Sequence, residues 1–464
     1  MINKGLGGFA GKRVLLLQGP VGPFFARFAR DLRDVGAEVF KVNFNAGDWF
    51  FYPGGAMNYR GTMEEWPQWL EEQLRRLRID VVFLFGDCRP IHRAAHASAT
   101  ALGLEVGVFE EGYVRPDYVT LERFGVNGYS RMPRAPEGYG GAAPRVAKPH
   151  AVGNAYWAMV RCGFLYYTIG SFGAPLFPHY VHHRRLSFLE ALPWIRSAWR
   201  KHWFKWKERG LQDRLTTDFS RSFYLAPLQV FNDAQVTVHA DGLDGVEHFI
   251  ERALQSFARH APQDTLLVFK HHPMDRGYRD YTRLVRARAR EAGVADRVLY
   301  IHDQHLPSLL DHARGVVLVN STVGMSALHH GAPTIVCGRA LYDMPGLTYR
   351  GSLDDFWAAA PHSQPDSELY QRFRSRLISE TQINGSFYRP LKQPGNSSWM
   401  AYGPGLHAVV PAPATQEVAP GWNARTASEL ARVELRIAQA STVLRSDASA
   451  ANSILDDEDD AAVA

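Results

Sequence analysis

Two adjacent carboxylates are the first residues whose types and spacing could support catalysis. Glu110 and Glu111 follow the apolar run Val106 to Phe109 and precede a glycine. Because ligands of open α/β sheets bind beyond the carboxyl ends of the strands, we expect both carboxylates to face a cleft. Repulsion between them would raise the pKa of one, leaving a base or nucleophile beside a partner that holds a proton. A solvated turn with a glycine cap is the alternative, while Arg115 nearby could bind a ligand carboxylate through a bidentate pair.

A second polar group follows another predicted strand, Thr265 to Phe269. It consists of Lys270, His271, His272 and Pro273. A cation and imidazoles at the carboxyl end of a strand suit a phosphate, because they would neutralise the charge that develops on a departing nucleotide. Pro273 also restricts the backbone of the residue before it. The chain holds 19 histidines, so a structural role for His271 is the competing interpretation.

A third polar group follows the predicted strand Gly315 to Val319 and opens a predicted helix. Its candidate binding residues are Asn320, Ser321, Thr322 and Gly324. Hydroxyls and free backbone N–H groups at a helix start form an anion site, to which the helix dipole alone contributes roughly 0.3–1 kcal/mol. An ordinary helix cap at Ser321 or Thr322 is the alternative. Since this group and the preceding one fall in the same lobe, one phosphate could contact both, which predicts a nucleotide-sugar site there.

Two glycines and two later polar residues are weaker candidates. The turn that contains Gly19 and Gly22 lacks the third glycine and the downstream acid of a dinucleotide fingerprint. We therefore predict that these glycines line the acceptor side of the site. Gln229 and Asp233 begin the second lobe and could face the cleft.

The segment after the predicted strand Asp80 to Phe85 carries three more polar candidates. Asp87, Arg89 and His92 follow this strand and could help to orient an acceptor. A loop whose polar groups are satisfied internally is an equally good interpretation, since functional and structural loops share this composition.

Several function classes are disfavoured by motifs that the sequence lacks. No P-loop, G-x-S-x-G or H-E-x-x-H pattern occurs, which disfavours ATPases, serine hydrolases and zinc peptidases. The pair Asp354 and Asp355 lacks the strand context of a metal motif, so we predict no catalytic metal. The three cysteines have no zinc or disulfide spacing, and the N-terminus lacks a secretory pattern. These features predict a cytosolic protein.

The elements that must position these groups alternate between strands and helices. A chain of 464 residues is long enough for two or three domains. Strand and helix patterns alternate from Arg13 to Phe109, and the alternation resumes between Thr265 and Val336. Such alternation is typical of parallel sheets covered by helices. We therefore predict an α/β protein with two Rossmann-like lobes, 1–145 for acceptor binding and 216–345 for nucleotide-sugar binding.

The segment between the lobes, 146–215, has an unusual composition. Trp and Tyr residues are interleaved with Lys and Arg, and its apolar part, Ala155 to Pro175, is interrupted by Arg161. This pattern is a poor membrane span but suits a helical insertion at a membrane interface. A helical insertion packed on the lobes is the alternative, and no RNA- or DNA-binding motif accompanies the basic residues, which disfavours nucleic acid. The net charge of +5 likewise favours anionic ligands or lipid.

The remaining part of the chain divides into two segments. We predict closing helices over 346–390 and a mostly flexible tail over 391–464. The tail is rich in Pro, Gly, Ala and Ser, contains one possible helix at Thr426 to Leu444 and ends in an acidic run.

These groups together resemble the capsule polysaccharide biosynthesis and export family of KpsS/LipB type. The resemblance covers roughly residues 12–390. It is carried by Gly86-Asp87-Cys88-Arg89-Pro90, Glu110-Glu111-Gly112-Tyr113-Val114-Arg115-Pro116, Pro227-Leu228-Gln229, His272-Pro273 and Asn320-Ser321-Thr322-Val323-Gly324. The acid-acid-Gly, His-Pro and Ser/Thr elements are also similar to those of bacterial sialyltransferases and polysialyltransferases, which use CMP-activated acidic sugars. The resemblance implies a GT-B fold and recognition of CMP by His272 with Ser321 and Thr322.

The family resemblance also implies a reaction. It implies transfer of Kdo from CMP-Kdo, with retention, to phosphatidylglycerol or to a growing Kdo linker, without a further cofactor. We expect Glu111 to be the catalytic carboxylate and Glu110 its partner, although the sequence leaves open which acid attacks. The implied partners are a CMP-activated sugar, an anionic lipid or glycolipid, the inner face of the inner membrane and other capsule proteins. A non-catalytic capsule assembly or export protein and a UDP-sugar transferase remain the alternatives.

Overall fold

A computed structural model describes residues 4–181, 191–231, 242–391 and 396–402 of the chain. The strands are β1 Arg13–Leu16, β2 Glu38–Asn43, β3 Met57–Asn58, β4 Val81–Phe85, β5 Glu105–Glu111, β6 Tyr118–Arg123, β7 Phe223–Pro227, β8 Leu266–Lys270, β9 Val298–Ile301, β10 Gly315–Leu318, β11 Thr334–Val336 and β12 Gln382–Asn384. The helices are α1 Phe24–Asp34, α2 Ala46–Phe51, α3 Trp66–Arg76, α4 Pro90–Ala101, α5 Tyr156–Phe172, α6 Ala191–Lys207, α7 Leu211–Thr216, α8 Val246–His260, α9 Thr282–Glu291, α10 Leu306–His312, α11 Val323–His329, α12 Leu353–Ala359 and α13 Ser367–Thr381.

The first lobe is built on a 7-stranded sheet with the order β12-β6-β5-β4-β1-β2-β3. The strands from β5 to β3 in this order pair in parallel, as the alternating pattern predicts. The sheet is not wholly parallel, however, because β6 pairs antiparallel with both β5 and β12. A hairpin can join antiparallel neighbours with a short turn, so β6 follows β5 without a crossover helix.

The second lobe is built on a 5-stranded sheet with the order β11-β10-β7-β8-β9. Every pairing in it is parallel, so the carboxyl ends of all these strands lie at one edge. The two α/β lobes confirm the predicted fold class. Their carboxyl edges carry the polar groups that the sequence singles out.

Apolar side chains cover both faces of each sheet. Phe24, Phe28 and Phe109 pack on one face of the first sheet, with ring centroids 5.2–5.9 Å apart. On its other face, a buried cluster includes Val108 and continues to Leu225 of the second lobe. The two lobes therefore share apolar packing.

The insertion between the lobes is helical, and its two long helices contact different lobes. Tyr166 of α5 is buried against α2 of the first lobe, where its hydroxyl contacts Asp48 at 3.1 Å. Arg200 of α6 is buried against the second lobe, where it donates to the carbonyl of Arg276 at 3.0 Å and pairs with Asp280. Helix α6 is thus an attached element of the second lobe with one side left exposed.

After the second lobe, the chain returns to the first. Helix α13 leads into β12, which pairs with β6. Residues 396–402 also pack on the first lobe, since Met400 is fully buried and the Asp31 carboxylate accepts from the amides of Ser397 and Ser398. This part of the predicted flexible tail is therefore packed against α1. The predicted helix at Thr426 to Leu444 lies outside the described residues.

Candidate functional site

The paired glutamates lie at the carboxyl end of β5. The sequence predicts that they follow the strand, but in the structure they are its last two residues. Glu110 lies opposite Thr120 of β6, and Glu111 lies opposite Val119. Successive side chains of a strand point to opposite faces. The two carboxylates therefore start from opposite faces of the sheet, and both are partly buried.

The surroundings of the two glutamates differ in charge. Burial raises the pKa of Glu110 to about 7, and the nearby Asp87 carboxyl adds to the rise while Arg89 opposes it. Burial also raises the pKa of Glu111, but the Arg115 guanidinium opposes that shift. Two acids with different electrostatic neighbours can take different roles, one holding a proton and the other ionised.

The turn after the glutamates requires a glycine. A Cβ atom on Gly112 would lie 2.0 Å from the carbonyl oxygen of Tyr118, which no side chain could accommodate. Arg115, which we predict binds a ligand carboxylate, is exposed and donates from Nε to the Gly112 carbonyl at 3.1 Å. The Arg115 charge also acts on the Glu111 carboxylate, whose pKa it lowers against the effect of burial.

Tyr388 is a site residue that the sequence did not identify. Its phenol is buried, which raises its pKa well above the ordinary value, and it interacts electrostatically with Glu111, Arg89 and Glu110. The residue comes from the segment after β12, far along the chain from β5. No local pattern marks it, because only the return of the chain to the first lobe brings it to the glutamates.

Two of the weaker candidates in the first lobe have structural roles. His92 is fully buried, its Nδ1 donates to the Gly86 carbonyl at 2.7 Å, and burial lowers its pKa to about 3. Asp87 is also fully buried and accepts from the Val126 amide at 2.8 Å. Neither side chain is exposed in this conformation, although the Nε2 atom of His92 is buried without a hydrogen-bond partner among the described residues, so their role in orienting an acceptor stays a prediction.

Arg89 and the glycine turn lie beside a polar cluster at the ends of β1 and β2. Arg89 donates to the amide oxygen of Gln18 at 2.9 Å, and the Gln18 amide nitrogen contacts Asp48 at 3.0 Å. Gly19 and Gly22 line a cavity of about 20 Å³ next to this cluster. A space of this size holds about one water, so these glycines line no sugar-sized space in this conformation.

The second lobe brings its candidates together at the carboxyl edge of its sheet. Gln229, after β7, donates to the Asn320 side chain after β10 at 2.9 Å. The Leu228 amide donates to the Lys270 carbonyl at the end of β8, also at 2.9 Å. The three loops that follow β10, β7 and β8 are therefore neighbours. Asp233 lies outside the described residues.

The loop after β10 is shaped by Tyr342. The Tyr342 hydroxyl donates to the Ser321 carbonyl at 2.5 Å, and a Cβ atom on Gly324 would lie 2.1 Å from that hydroxyl. Ser321 accepts from the Val323 amide through its hydroxyl at 3.2 Å, so it partly acts as the ordinary helix cap. Thr322 makes no such capping bond with its side chain, and its side chain is partly exposed.

Two residues of the Lys-His-His-Pro group are buried. The Lys270 ammonium is buried and donates to the His302 carbonyl at 2.9 Å. His271 is buried, its Nδ1 contacts the Tyr300 hydroxyl at 2.6 Å, and burial lowers its pKa to about 3. A buried neutral imidazole is poorly placed for a phosphate, so the structural interpretation fits His271 in this conformation, whereas the assignment of Lys270 to a phosphate stays a prediction.

His272 and Pro273 lie closer to open space. His272 is partly exposed, and its Nδ1 accepts from the Met274 amide at 3.2 Å. Pro273 lines a cavity of about 260 Å³ with Tyr156 of α5 and with Trp194 and Lys201 of α6. This cavity is therefore lined by the two insertion helices and by loops of the second lobe.

Neither a metal-binding cluster nor a membrane-spanning helix occurs among the described residues. Within residues 4–181, 191–231, 242–391 and 396–402, no group of three or more His, Cys, Asp and Glu side chains is arranged to hold a metal ion. In the same ranges, no helix has both the length and the apolar character that a membrane crossing requires.

Comparison with known proteins identifies a family. A family model described as capsule polysaccharide biosynthesis protein matches residues 80–388. The capsule polysaccharide export protein KpsS of Escherichia coli is 43% identical over 82% of this chain and 97% of its own length. The capsule polysaccharide modification protein LipB of Neisseria meningitidis serogroup B is 39% identical over 83% of this chain and 95% of its own length.

Solved structures give a more distant likeness. KpsC of Thermosulfurimonas dismutans, described as a β Kdo 2,7 transferase, is 15% identical, with a TM-score of 0.36 over 75% of this chain and 92% of that chain. At this distance the match indicates nothing about activity.

Proposed function

The chain belongs to the capsule polysaccharide biosynthesis protein family, and from this premise we propose that it is a glycosyltransferase acting on a lipid acceptor. The donor is CMP-Kdo and the acceptor is phosphatidylglycerol or a lipid-linked Kdo chain. Membership of the family supports a role in capsule synthesis, and the resemblance to transferases that use CMP-activated acidic sugars supports the donor.

One observation carries the proposal. Glu110 and Glu111 end β5 with raised pKa values and with different charged neighbours. Carboxyls in such surroundings are typical of enzymes that need one group as an acid or base and another as a nucleophile.

The first step of the proposed reaction is attack on the donor. Glu111, which Arg115 helps to keep ionised, forms a bond to the anomeric carbon of Kdo while the bond from that carbon to CMP breaks. CMP leaves with the electron pair on its phosphate. Groups that neutralise this phosphate lower the barrier, and His272, Ser321, Thr322 and the Asn320 side chain are the groups that we assign to it.

The second step transfers the sugar and restores the enzyme. Glu110, with its pKa of about 7, takes the proton of the acceptor hydroxyl while the hydroxyl oxygen attacks the anomeric carbon. The bond to Glu111 breaks, and its carboxylate is regenerated. Two displacements at one carbon give net retention of configuration.

The proposal predicts that Glu111→Gln abolishes transfer without abolishing donor binding. Loss of an acid or base costs roughly 10²- to 10⁴-fold in rate, and loss of a nucleophile costs more. The measurement is mass spectrometry of the product formed from CMP-Kdo and a defined lipid, with CMP release as a second readout. Glu105→Gln is the matched control, because Glu105 begins the same strand at its amino end.

Ligand binding separates the proposal from its alternatives. CMP at about 100 times its Kd should stabilise the protein by roughly 2.7 kcal/mol in a thermal unfolding assay. No stabilisation by CMP, together with no product, would favour a non-catalytic assembly role. Stronger stabilisation by UDP than by CMP would favour a UDP-sugar transferase, and near wild-type transfer by Glu111→Gln would remove that residue from the chemistry.

A further inference from the structure

Helix α6 carries a stripe of exposed apolar side chains. Leu192, Ile195, Trp199, Trp203 and Trp206 are 43–65% exposed. At 100° per residue these positions fall within roughly 80° of the helix circumference. We call these five residues the aromatic stripe.

The aromatic stripe is organised although nothing in the described chain covers it. The rings of Trp199 and Trp203 are stacked, with centroids 6.0 Å apart and an angle of 7° between their planes. The ring centroids of Trp203 and Trp206 are 5.3 Å apart. Isolated exposed apolar residues are normal, but a continuous run of large ones marks an interaction surface.

The other side of α6 is fixed to the second lobe. Phe204 is buried and stacks on His302, with ring centroids 3.3 Å apart. Arg200 is buried beside Asp280 on the same side of the helix. These contacts fix the orientation of α6, so the aromatic stripe on the opposite side of the helix faces outward.

The charges of α6 are of one sign. Its 17 residues include no Asp or Glu. Apart from the buried Arg200, its basic residues Arg196, Lys201, Lys205 and Lys207 are all exposed. Tryptophans beside lysines and arginines on one helix are typical of segments that lie in the interface of an anionic bilayer.

A basic cavity adjoins the C-terminal end of α6. It has a volume of about 500 Å³ and lies between α6, α7 and α9. The cations that line it are Lys207, Arg209, Arg214, Arg286 and Arg290. Glu208, the one acidic residue among its lining, contacts the ring Nδ1 of His302 at 2.6 Å. The cavity thus has an excess of cations suited to phosphate groups.

We propose that α6 is a membrane-docking helix, whose aromatic stripe inserts into the interface of a bilayer and whose flanking cations and basic cavity bind anionic phospholipid headgroups. A second copy of this chain fits less well, because a symmetric contact through the stripes would bring like charges together. A protein partner also fits less well, since lysine is depleted at the centres of protein interfaces. This inference goes beyond the proposed transfer reaction and does not depend on it.

Helix α5, which packs on the first lobe, also carries exposed apolar side chains. Trp157, Phe164 and Phe172 of this helix are 61–77% exposed. Tyr156 at the start of α5 shares a cavity with Trp194 and Lys201 of α6. The start of α5 therefore lies beside the first half of α6.

Flotation with phospholipid vesicles tests the proposal. The full chain should bind vesicles of mixed phosphatidylcholine and phosphatidylglycerol and bind phosphatidylcholine alone weakly. Combined replacement of Trp199, Trp203 and Trp206 by serine should reduce partitioning roughly tenfold or more, because apolar insertion is lost. Combined Arg286→Gln and Arg290→Gln should reduce binding to the anionic vesicles by on the order of tenfold and weaken its salt dependence.

Matched controls distinguish this docking mode from general stickiness. Arg252→Gln with Arg259→Gln removes two exposed cations from α8 of the same lobe, and Trp49→Ser with Phe50→Ser removes two exposed aromatic residues from α2. Both controls should bind as the wild type does. Equal losses in the controls, unchanged binding in the stripe variant, or a dimer that only the stripe variant disrupts would overturn the proposal. Thermal unfolding of each variant shows whether it is folded.

Discussion

Three buried carboxyls lie close to one another behind the edge of the first sheet. Burial raises the pKa of Glu122 to about 7 and that of Asp87 to about 6. Glu122 accepts from the Tyr113 hydroxyl at 2.6 Å and from the Ser130 hydroxyl at 2.5 Å. Glu110 is the third carboxyl of the group, because the Asp87 carboxylate raises the pKa of Glu110 as well as that of Glu122. Deprotonation of these acids in the folded protein is therefore costly.

The raised pKa of Glu122 predicts that stability falls as the pH rises. A carboxyl whose folded-state pKa lies above its unfolded value stabilises the protein fully below the unfolded value, and this stabilisation is lost as the pH rises through the folded value. Between about pH 4.5 and pH 7, each such group should change the free energy of unfolding by roughly 1.4 kcal/mol per pH unit. Urea denaturation at a series of pH values measures this slope.

Glu122→Gln should make that slope shallower, because the amide does not titrate. The control is Glu72→Gln, which makes the same chemical change at an exposed position of α3. An identical slope in wild type and Glu122→Gln would show that Glu122 is not protonated in the folded protein at low pH. Because Glu122 is buried, with 6% exposure, and has no assigned role in the proposed reaction, this test does not depend on a measurement of activity.

At the scale of elements, helix α1 connects the start of the chain to its later part. Arg27 donates to the Phe387 carbonyl at 2.7 Å and lies over the ring of Trp399, with its guanidinium carbon 3.7 Å from the ring centroid. Asp31 on the same helix accepts from the amides of Ser397 and Ser398. The helix thereby holds the segment that contains Tyr388 against the first lobe.

Asp31→Ala should destabilise the protein by leaving these two amides without their acceptor. A buried donor that loses its partner costs about 1–3 kcal/mol. The prediction is a lower free energy of unfolding in urea, together with faster proteolysis after residue 390. Asp34→Ala is the matched control, since Asp34 is an exposed carboxyl on the same helix. Equal effects from the two substitutions would mean that the Asp31 contacts contribute little.

At the scale of the whole molecule, the chain passes from the first lobe to the second and back. The insertion helices α5 and α6 lie between the lobes in sequence, and each contacts a different lobe. The cavity beside Pro273 lies between the start of α5 and the first half of α6. If the proposed function and the proposed docking are both correct, docking brings this cavity close to a lipid acceptor.

The combined proposals predict a dependence of transfer on the physical state of the acceptor. The serine variant of Trp199, Trp203 and Trp206 should lose activity on an acceptor in vesicles, by about the same factor as it loses binding. It should retain wild-type kcat on a short-chain acceptor that is soluble without a bilayer, because no residue of the stripe is assigned to the chemistry. If the wild type transfers sugar to neither the vesicle acceptor nor the soluble acceptor, the transferase proposal is rejected. If the serine variant transfers equally well to the two acceptors, only the docking proposal is rejected.

The sequence by itself determined the element types and the position of the polar groups along them. The alternation predicted between Thr265 and Val336 is present as the strands β8 to β11 with helices between them, and the Glu110, His272 and Asn320 groups all fall at or just after strand ends. These features follow from local periodicity, because runs of apolar residues and turn residues act over a few positions.

Only the tertiary structure decided what each polar side chain contacts. Lys270 ends β8 and His271 follows it, yet both side chains are buried, where Lys270 donates to the carbonyl of His302 just after β9 and His271 contacts Tyr300 within β9. Tyr388 reaches Glu111 because β12 adds to the first sheet beside β6. Such contacts join residues far apart in the chain, so they depend on how strands are ordered and how helices pack, and no local pattern contains that information.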